Sequence, residues 1–205
     1  MATAAPARRN RAATETRLIA AARDVLVEEG FAALTPSAVA RRAGVDKMLI
    51  YRYFGDMAGL IGMIARAEDF LPTFEQICGS RSADQVRAMP LPERAGWVIA
   101  NNLRTLAERP AVLEVMVWEL IERNELTAVL EEARESLGHR LMDELFGDVP
   151  DRARLQMFSA LLSAGVTYLA LRRRKIRWYA GVDLKSDGLP DAIEQAVAQM
   201  AKALV

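Results

Sequence analysis

"AGVDKMLIYRYFGDM", residues 43–57, decides how the rest of the chain is read. It sets a glycine that turns the backbone tightly, then an aspartate suited to capping, then apolar residues at helical spacing. Asp46 caps the helix, while Val45 before the cap and Ile50 four positions into the helix form a hydrophobic staple that fixes the entry angle. With Ile50 pointing inward, Phe54 falls beside it and Met48, Tyr51 and Arg52 face outward, flanked by Lys47 and Leu49. A helix that serves structure alone shows water charged, flexible side chains; this one shows a Tyr, a Met and a Leu between cations. That face suits a groove of duplex DNA. Arg52 and Lys47 donate to guanine edges or phosphates, Met48 and Leu49 touch thymine methyl groups, and Tyr51 hydrogen-bonds a phosphate oxygen. The competing reading makes Tyr51 and Tyr53 half-buried core aromatics and the cations ordinary solvated charges; the coincidence of cap, staple, turn and outward face weighs against it.

Upstream, Leu18, Ala22, Val25, Leu26 and Glu29 recur on successive turns, so a first helix ends near Gly30 as its C′ residue. Thr35 and Pro36 then supply an N-cap and a first helical residue for a short helix through Val39 and Ala40 that Gly44 closes. Two short helices joined by a glycine turn make the helix-turn-helix pattern.

The run "RLIAAARDVLVEEGFAALTPSAVARRAGVDKMLIYRYFGDMAGLI", residues 17–61, resembles the DNA-binding domain of the TetR/AcrR family of bacterial transcriptional regulators. The resemblance is carried by the paired alanines of the first helix, Gly30-Phe31, Thr35, Val39-Ala40, the "AGV" turn, "IYRYF" and Leu60. It implies a homodimer on a roughly palindromic operator, usually a repressor released by a small molecule. It also implies that Thr35, Pro36 and Ser37 lie near the phosphate backbone and that Lys47, Met48, Leu49, Tyr51, Arg52 and Tyr53 belong to the recognition helix. Two positions depart from the pattern: Met57 stands where the family commonly has a lysine at the start of the fourth helix, and Ser37 replaces a frequently larger polar or cationic side chain. A methionine cannot neutralise a phosphate, and each lost phosphate contact flattens the log-log salt dependence by about one unit per monomer.

Charge distribution agrees with a DNA-facing amino end. The chain is neutral overall, but residues 1–60 carry nine Lys/Arg against six Asp/Glu, a net of +3, and residues 61–205 carry eighteen against twenty-one, a net of −3. Arg8, Arg9 and Arg11 lie in an Ala/Pro/Asn-rich arm that reads as disordered in isolation, either a solubilising tail or a set of phosphate contacts that compensates for Met57.

The whole chain reads as all-α, with roughly nine periodic segments and no convincing strand. The expected division is an arm and helix-turn-helix domain over residues 1–55 and a larger helical effector-binding and dimerisation domain over 56–205. In the larger part, a helix from Asp56 is kinked or broken near Pro72, "SRSADQVRAMPLP" is a loop, and helices follow at 91–108 and 110–122. "AVLEVMVWELI" is apolar nearly all round and reads as a buried helix. Residues 125–146 carry a leucine stripe with His139 almost opposite, hence exposed.

Residues 151–176 have two apolar faces, one of Leu155, Phe158, Leu162, Val166 and Leu169, the other of Met157, Leu161, Tyr168 and Leu171. Together with an amphipathic helix at 189–204 they form a four-helix bundle with their symmetry mates, through Phe158, Leu161, Leu162, Gly165, Tyr168, Leu169, Ile193, Val197 and Met200. Full burial inside one chain is the alternative. The run "RRRKIR" at 172–177 sits at a helix C-terminus, where cations meet the helix dipole. Candidate effector-lining residues are Phe70, Phe74, Trp97, Asn101, Met116, Trp118, Glu119 and Tyr168, because aromatic and Met side chains with a few polar groups describe most small-molecule pockets; plain core packing is the competing account of each.

Chemistry of other kinds finds little footing. Cys78 and His139 stand alone, so neither a disulfide framework nor a Cys/His metal site is expected, and a reducing, cytoplasmic setting fits. The basic amino end lacks an apolar core and cleavage site, and no segment is long enough to span a bilayer. Nucleophile elbow, phosphate loop and Cys/His dyad are missing, so no catalytic residue and no cofactor are expected. A helical enzyme with a DNA-binding-like end and a regulator controlled by a protein partner are the rival readings.

Overall fold

The computed structural model describes residues 4–65, 70–121, 123 and 125–204, with the side chains of 4–9, 65, 125 and 126 outside the description. Among these residues are eleven α-helices: α1 (Ala4–Glu28), α2 (Pro36–Ala43), α3 (Met48–Phe54), α4 (Met57–Ala65), α5 (Phe74–Cys78), α6 (Ala83–Arg87), α7 (Leu91–Ala107), α8 (Pro110–Glu119), α9 (Glu125–Phe146), α10 (Arg152–Arg173) and α11 (Leu189–Ala201). A two-residue strand pair, β1 (Trp178–Tyr179) and β2 (Val182–Asp183), lies between α10 and α11. The fold is all-α, as read from the periodicity, with that small hairpin as an addition. The residues group into two compact units, Met1–Leu71 with Pro110–Ala133, and Pro72–Arg109 with Arg134–Val205. That grouping follows packing, and it has no break at 55/56.

In the first unit α1 is the spine. Leu18, Ala22, Val25 and Leu26 form its buried stripe, and α1 packs on α2, α4 and α8, where Val39, Leu60, Ile64 and Leu113 are buried. Each fully buried Leu, Ile or Val contributes about 1.5–3 kcal/mol relative to an exposed one. A 3₁₀ turn at Phe31–Ala33 follows α1 and stacks the Phe31 ring on Trp118 of α8 at 5.2 Å between centroids. The helix begins far earlier than the expected arm allowed: Ala4 onward is helical, so Arg8, Arg9 and Arg11 stand on α1. Ala and Arg are among the best helix formers, and a structured helix downstream extends through them without needing an apolar stripe.

In the second unit α7 is central, packed by α5, α10 and α11. Gly96 explains how closely α11 approaches: a Cβ there would stand 2.4 Å from the Glu194 carbonyl oxygen. Arg94 is buried at 4 % exposure and ties three segments together. Its guanidinium donates to the Leu145 and Met89 carbonyls and to both oxygens of Asp148, at 2.6 and 3.0 Å for the latter. That hydrogen bonding holds the Asp148 carboxyl below the usual carboxylate range.

Several sequence expectations are corrected here. The stretch 80–92 is not all loop: Ser82 and Gln85 form a reciprocal capping box that starts α6. The break expected near Pro72 is present: residues 71–73 are non-helical and Thr73 with Gln76 caps a new helix, α5. Helix α8 is not buried all round; Val112, Leu113 and Val115 are buried, while Val117 is exposed, as are Leu120 and Ile121 just past its end. Leu130 and Leu145 of the α9 stripe are buried and His139 is exposed, as expected, while Leu126 lies outside the described side chains. No helix among the described residues is long and apolar enough to cross a membrane.

Candidate DNA-binding surface

The site is assembled from α2, the turn at Gly44 and α3. Thr35 accepts a hydrogen bond from the Ala38 N–H at 3.2 Å and Pro36 opens α2, so this helix starts where its sequence says it must. Gly44 ends it in the left-handed conformation, φ 63 and ψ 42, its N–H returned to the carbonyls of Ala40 and Arg41. Asp46 then accepts from the Met48 N–H at 2.7 Å, although the N-cap of α3 is Lys47, one residue later than expected, and its side chain makes no capping bond. A side chain with Cβ at position 44 would strain the turn and swing α3 away from α2.

Helix α3 buries one residue completely, Ile50, and half-buries Leu49, Tyr53 and Phe54. Met48 at 61 % and Tyr51 at 44 % exposure, with Lys47 and Arg52 exposed beside them, form the outward face the periodicity demanded. Thr35 and Ser37 are exposed and Pro36 half-buried at the start of α2. The Thr35 oxygen accepts the capping bond, which leaves its hydroxyl proton free to donate.

Three contacts that local sequence does not announce hold this surface, two from α1 and its end and one from α4. The Arg17 guanidinium donates to the Ala43 carbonyl and, at 3.4 Å, to that of Gly44, gripping the turn itself. Arg42 bridges to Glu28 at 2.6 Å and Glu29 at 3.2 Å; it lowers the Glu28 carboxyl pKa and its own rises in return. Gly59, third residue of α4, lies so close to the end of α3 that a Cβ would sit 1.9 Å from the Phe54 carbonyl oxygen. No side chain but hydrogen fits there.

Arg11 is exposed, pairs with Glu15 at 2.7 Å and sits 5.0 Å above the Tyr53 ring. It therefore places a cation against α3. Arg8 and Arg9 have side chains outside the described residues. At the start of α4, Met57 is half-buried and Asp56 accepts the Gly59 N–H at 2.7 Å, so this corner presents a carboxylate and an apolar side chain.

The expected effector-lining residues divide between the units. In the first, Phe70 is buried beneath the Arg23 guanidinium at 5.6 Å, and Met116, Trp118 and Glu119 are half-buried. Among the described residues the buried Trp118 Nε1 has no hydrogen-bond partner. In the second, Phe74 is buried under Arg140 at 4.1 Å and Trp97 donates to the Cys78 carbonyl at 2.9 Å. Asn101 is buried; its oxygen accepts from Arg104 at 2.9 Å and its Nδ2 has no partner. Tyr168 lies elsewhere, exposed on α10 with its ring edge-on to Tyr179 at 5.3 Å. Among the described residues no group of three or more metal-ligating side chains gathers.

Of the expected dimer residues, Leu161, Tyr168 and Met200 are exposed at 67, 44 and 50 %, together with Gly165; Phe158, Leu162, Leu169 and Ile193 are half-buried. Val197 does not belong with them, because it is buried within its own chain, on the helix that packs along α7. Full burial of α10 inside one chain is excluded by Met157 and Leu161.

Residues 18–63 match the family described as bacterial regulatory proteins, tetR family. No curated protein matches the chain in sequence. Among solved structures, the fatty acid degradation regulator FadR from Bacillus halodurans is similar with TM-score 0.60 at 22% identity, over 90% of this chain and 94% of that one. A TetR transcriptional regulator from Agrobacterium tumefaciens has TM-score 0.59 at 20% identity, over 92% and 93%. The regulator FadR from Bacillus subtilis, solved in complex with stearoyl-CoA, has TM-score 0.56 at 20% identity, over 89% and 97%. At these identities the likeness is one of fold, shared with the Agrobacterium tumefaciens TetR transcriptional regulator and the two FadR regulators.

Proposed function

We infer that this chain, whose N-terminal domain is of the tetR family, is a homodimeric transcriptional repressor that leaves a palindromic operator when a small molecule binds. The observation that carries the reading is the exposed face of α3, Lys47, Met48, Tyr51 and Arg52, within the segment that matches the family. Arg52 and Lys47 reach guanine edges or phosphates, Met48 and Leu49 a thymine methyl, and Tyr51 and Tyr53 the sugar-phosphate edge. Thr35, Pro36 and Ser37 abut the backbone at the start of α2. Arg11, with Arg8 and Arg9 on the same helix, supplies the phosphate charge that Met57 cannot.

Two heads on one duplex require half-sites about one DNA turn apart, roughly 34–36 Å. The uncovered face of α10 supports a dimer that supplies that spacing. An effector that binds one spacing better than the other shifts the population and releases the operator. The buried, partnerless N–H groups of Trp118 and Asn101 support small-molecule binding, since each costs about 1–3 kcal/mol until something accepts from it. The stearoyl-CoA of the Bacillus subtilis regulator belongs to that protein, and long acyl thioesters are reasonable first members of a screen. We place the protein in the cytoplasm, acting without catalysis and without a membrane.

Gel shifts with DNA flanking the chain's own gene, titrated with salt, test the reading. A dimer-sized complex that weakens steeply with salt and outcompetes random duplex is expected; retention no better than random competitor overturns it. A thermal-shift screen then separates small-molecule control from control by a protein, because a ligand of the folded state raises its melting temperature.

A further inference from the structure

The run Arg172–Arg177 and the hairpin behind it have no task in the DNA reading. They stand at the C-terminal end of α10, whose outer face is uncovered. Met157, Leu161 and Tyr168 recur there at i, i+4 and i+11, one stripe along the helix. Tyr179 meets Tyr168 edge-on at 5.3 Å, so the hairpin continues the stripe. Tyr179 pairs with Val182 across the strands and shares a face with it, which leaves Trp178, 60 % exposed, on the other face. This hairpin is firmly built. Arg177 donates twice to Asp183, at 2.9 and 3.2 Å, and the Leu184 N–H bonds the Arg177 carbonyl at 2.7 Å while its side chain is fully buried. Ala180 and Gly181 make the turn with φ 49 and 81, the hand that matches strand twist. A stiff hairpin that holds an indole in water is made for a surface.

The charges at the two ends of α10 say which surface. Residues 143–151 carry Asp143, Glu144, Asp148 and Asp151 and no cation; Arg152, Arg140 and Arg94 pair with the first three, which leaves Asp151, the cap that accepts the Arg154 N–H, as the open acid at the start of α10, whereas 172–177 carry five cations and no acid. Arg152 and Arg154, just inside the acidic end, are engaged with Asp143 and with the Ala203 carbonyl. Arg172 and Lys175 are exposed, and among the described residues neither has a carboxylate partner. Twenty-two residues make α10 about 33 Å long, so its ends cannot meet within a chain. Its middle carries Ser159, Ala160, Ser163, Ala164 and Gly165, and a Cβ at Gly165 would meet nothing within 4 Å. A second copy crossing antiparallel at these small residues sets each basic end beside the other's acidic start.

Resting on the homodimer reading, we propose that the β1–β2 hairpin is a clasp for a second copy of this chain: Trp178, Arg172 and Lys175 of each copy seat on the start of α10, around Asp151, of the other. The dimer constant of the full chain, from sedimentation equilibrium at moderate salt, tests it. Trp178→Ala and Lys175→Glu are each expected to raise the dimer dissociation constant about tenfold, and Lys175→Glu combined with Asp151→Lys recovers most of that loss. The recovery has meaning because residues 151 and 175 face each other only between copies. A wild-type dimer whose constant none of the variants changes overturns the clasp and leaves the homodimer standing. Loss without recovery overturns the pairing at Asp151. A wild-type chain monomeric at tens of micromolar overturns the homodimer reading and the clasp together, and gives the face to another partner.

Discussion

On α3 the uncovered side chains are Lys47, Met48, Tyr51 and Arg52; on the outer face of α10 they are Met157, Leu161 and Tyr168. Both helices bury their opposite sides and both leave large apolar groups in water. The first interleaves them with cations and a hydroxyl, which matches a groove lined by phosphates and base edges. The second keeps charge to its two ends and small residues to its middle, which matches another helix. Exposure by itself therefore says that a face has a partner, and the pattern of charge within the face says what kind.

The sharpest way to break that contrast is to put a charge in the middle of the apolar face. Leu161→Arg should raise the dimer dissociation constant by about 100-fold or more, since an unpaired guanidinium would be buried on association. The melting curve of the separated chain should hardly move, because residue 161 faces water there; a lowered melting point with an unchanged dimer constant would show that α10 is core. Next in size, Arg52→Ala should weaken operator binding by about 1–3 kcal/mol and relax preference at one base position, with the dimer constant unaltered. Equal loss on operator and random duplex would reassign Arg52 to a phosphate.

Smaller still, Arg11→Ala should reduce the slope of log affinity against log salt by about one unit per monomer. A slope identical to that of the parent would remove the amino-terminal cations from the interface. The smallest effect concerns Asp148. Its folded carboxyl is depressed by the hydrogen bond from Arg94, so the stabilisation is complete above the unfolded value near pH 4 and is lost as pH falls through the folded one. Because the Asp148 side chain is 55% exposed, about 1 kcal/mol or less is at stake. Between pH 6 and pH 3 the melting temperature should fall more steeply for the parent than for Asp148→Asn.

The helix-turn-helix was legible because its cues are local: a capping Thr before Pro36, a left-handed Gly44 and an Asp46 that accepts the Met48 N–H fall within about a dozen residues. Helix α6 carried an equally local cue, the Ser82 and Gln85 box, and was read as loop because five residues show no period. The hairpin escaped for the same reason, its strands being two residues each. Arg17 gave no warning at all, since its partner carbonyls lie 26 and 27 positions away. Val197 shows a different limit: an amphipathic pattern announces that a face is buried, not which chain buries it.

The hydrogen at Gly59, set against the last carbonyl of α3, leaves no room for a side chain between the two helices, so α3 cannot be re-aimed without moving α4. A single added methyl group would throw the two out of alignment. The direction in which Tyr51 and Arg52 point thus rests on the absence of one carbon atom.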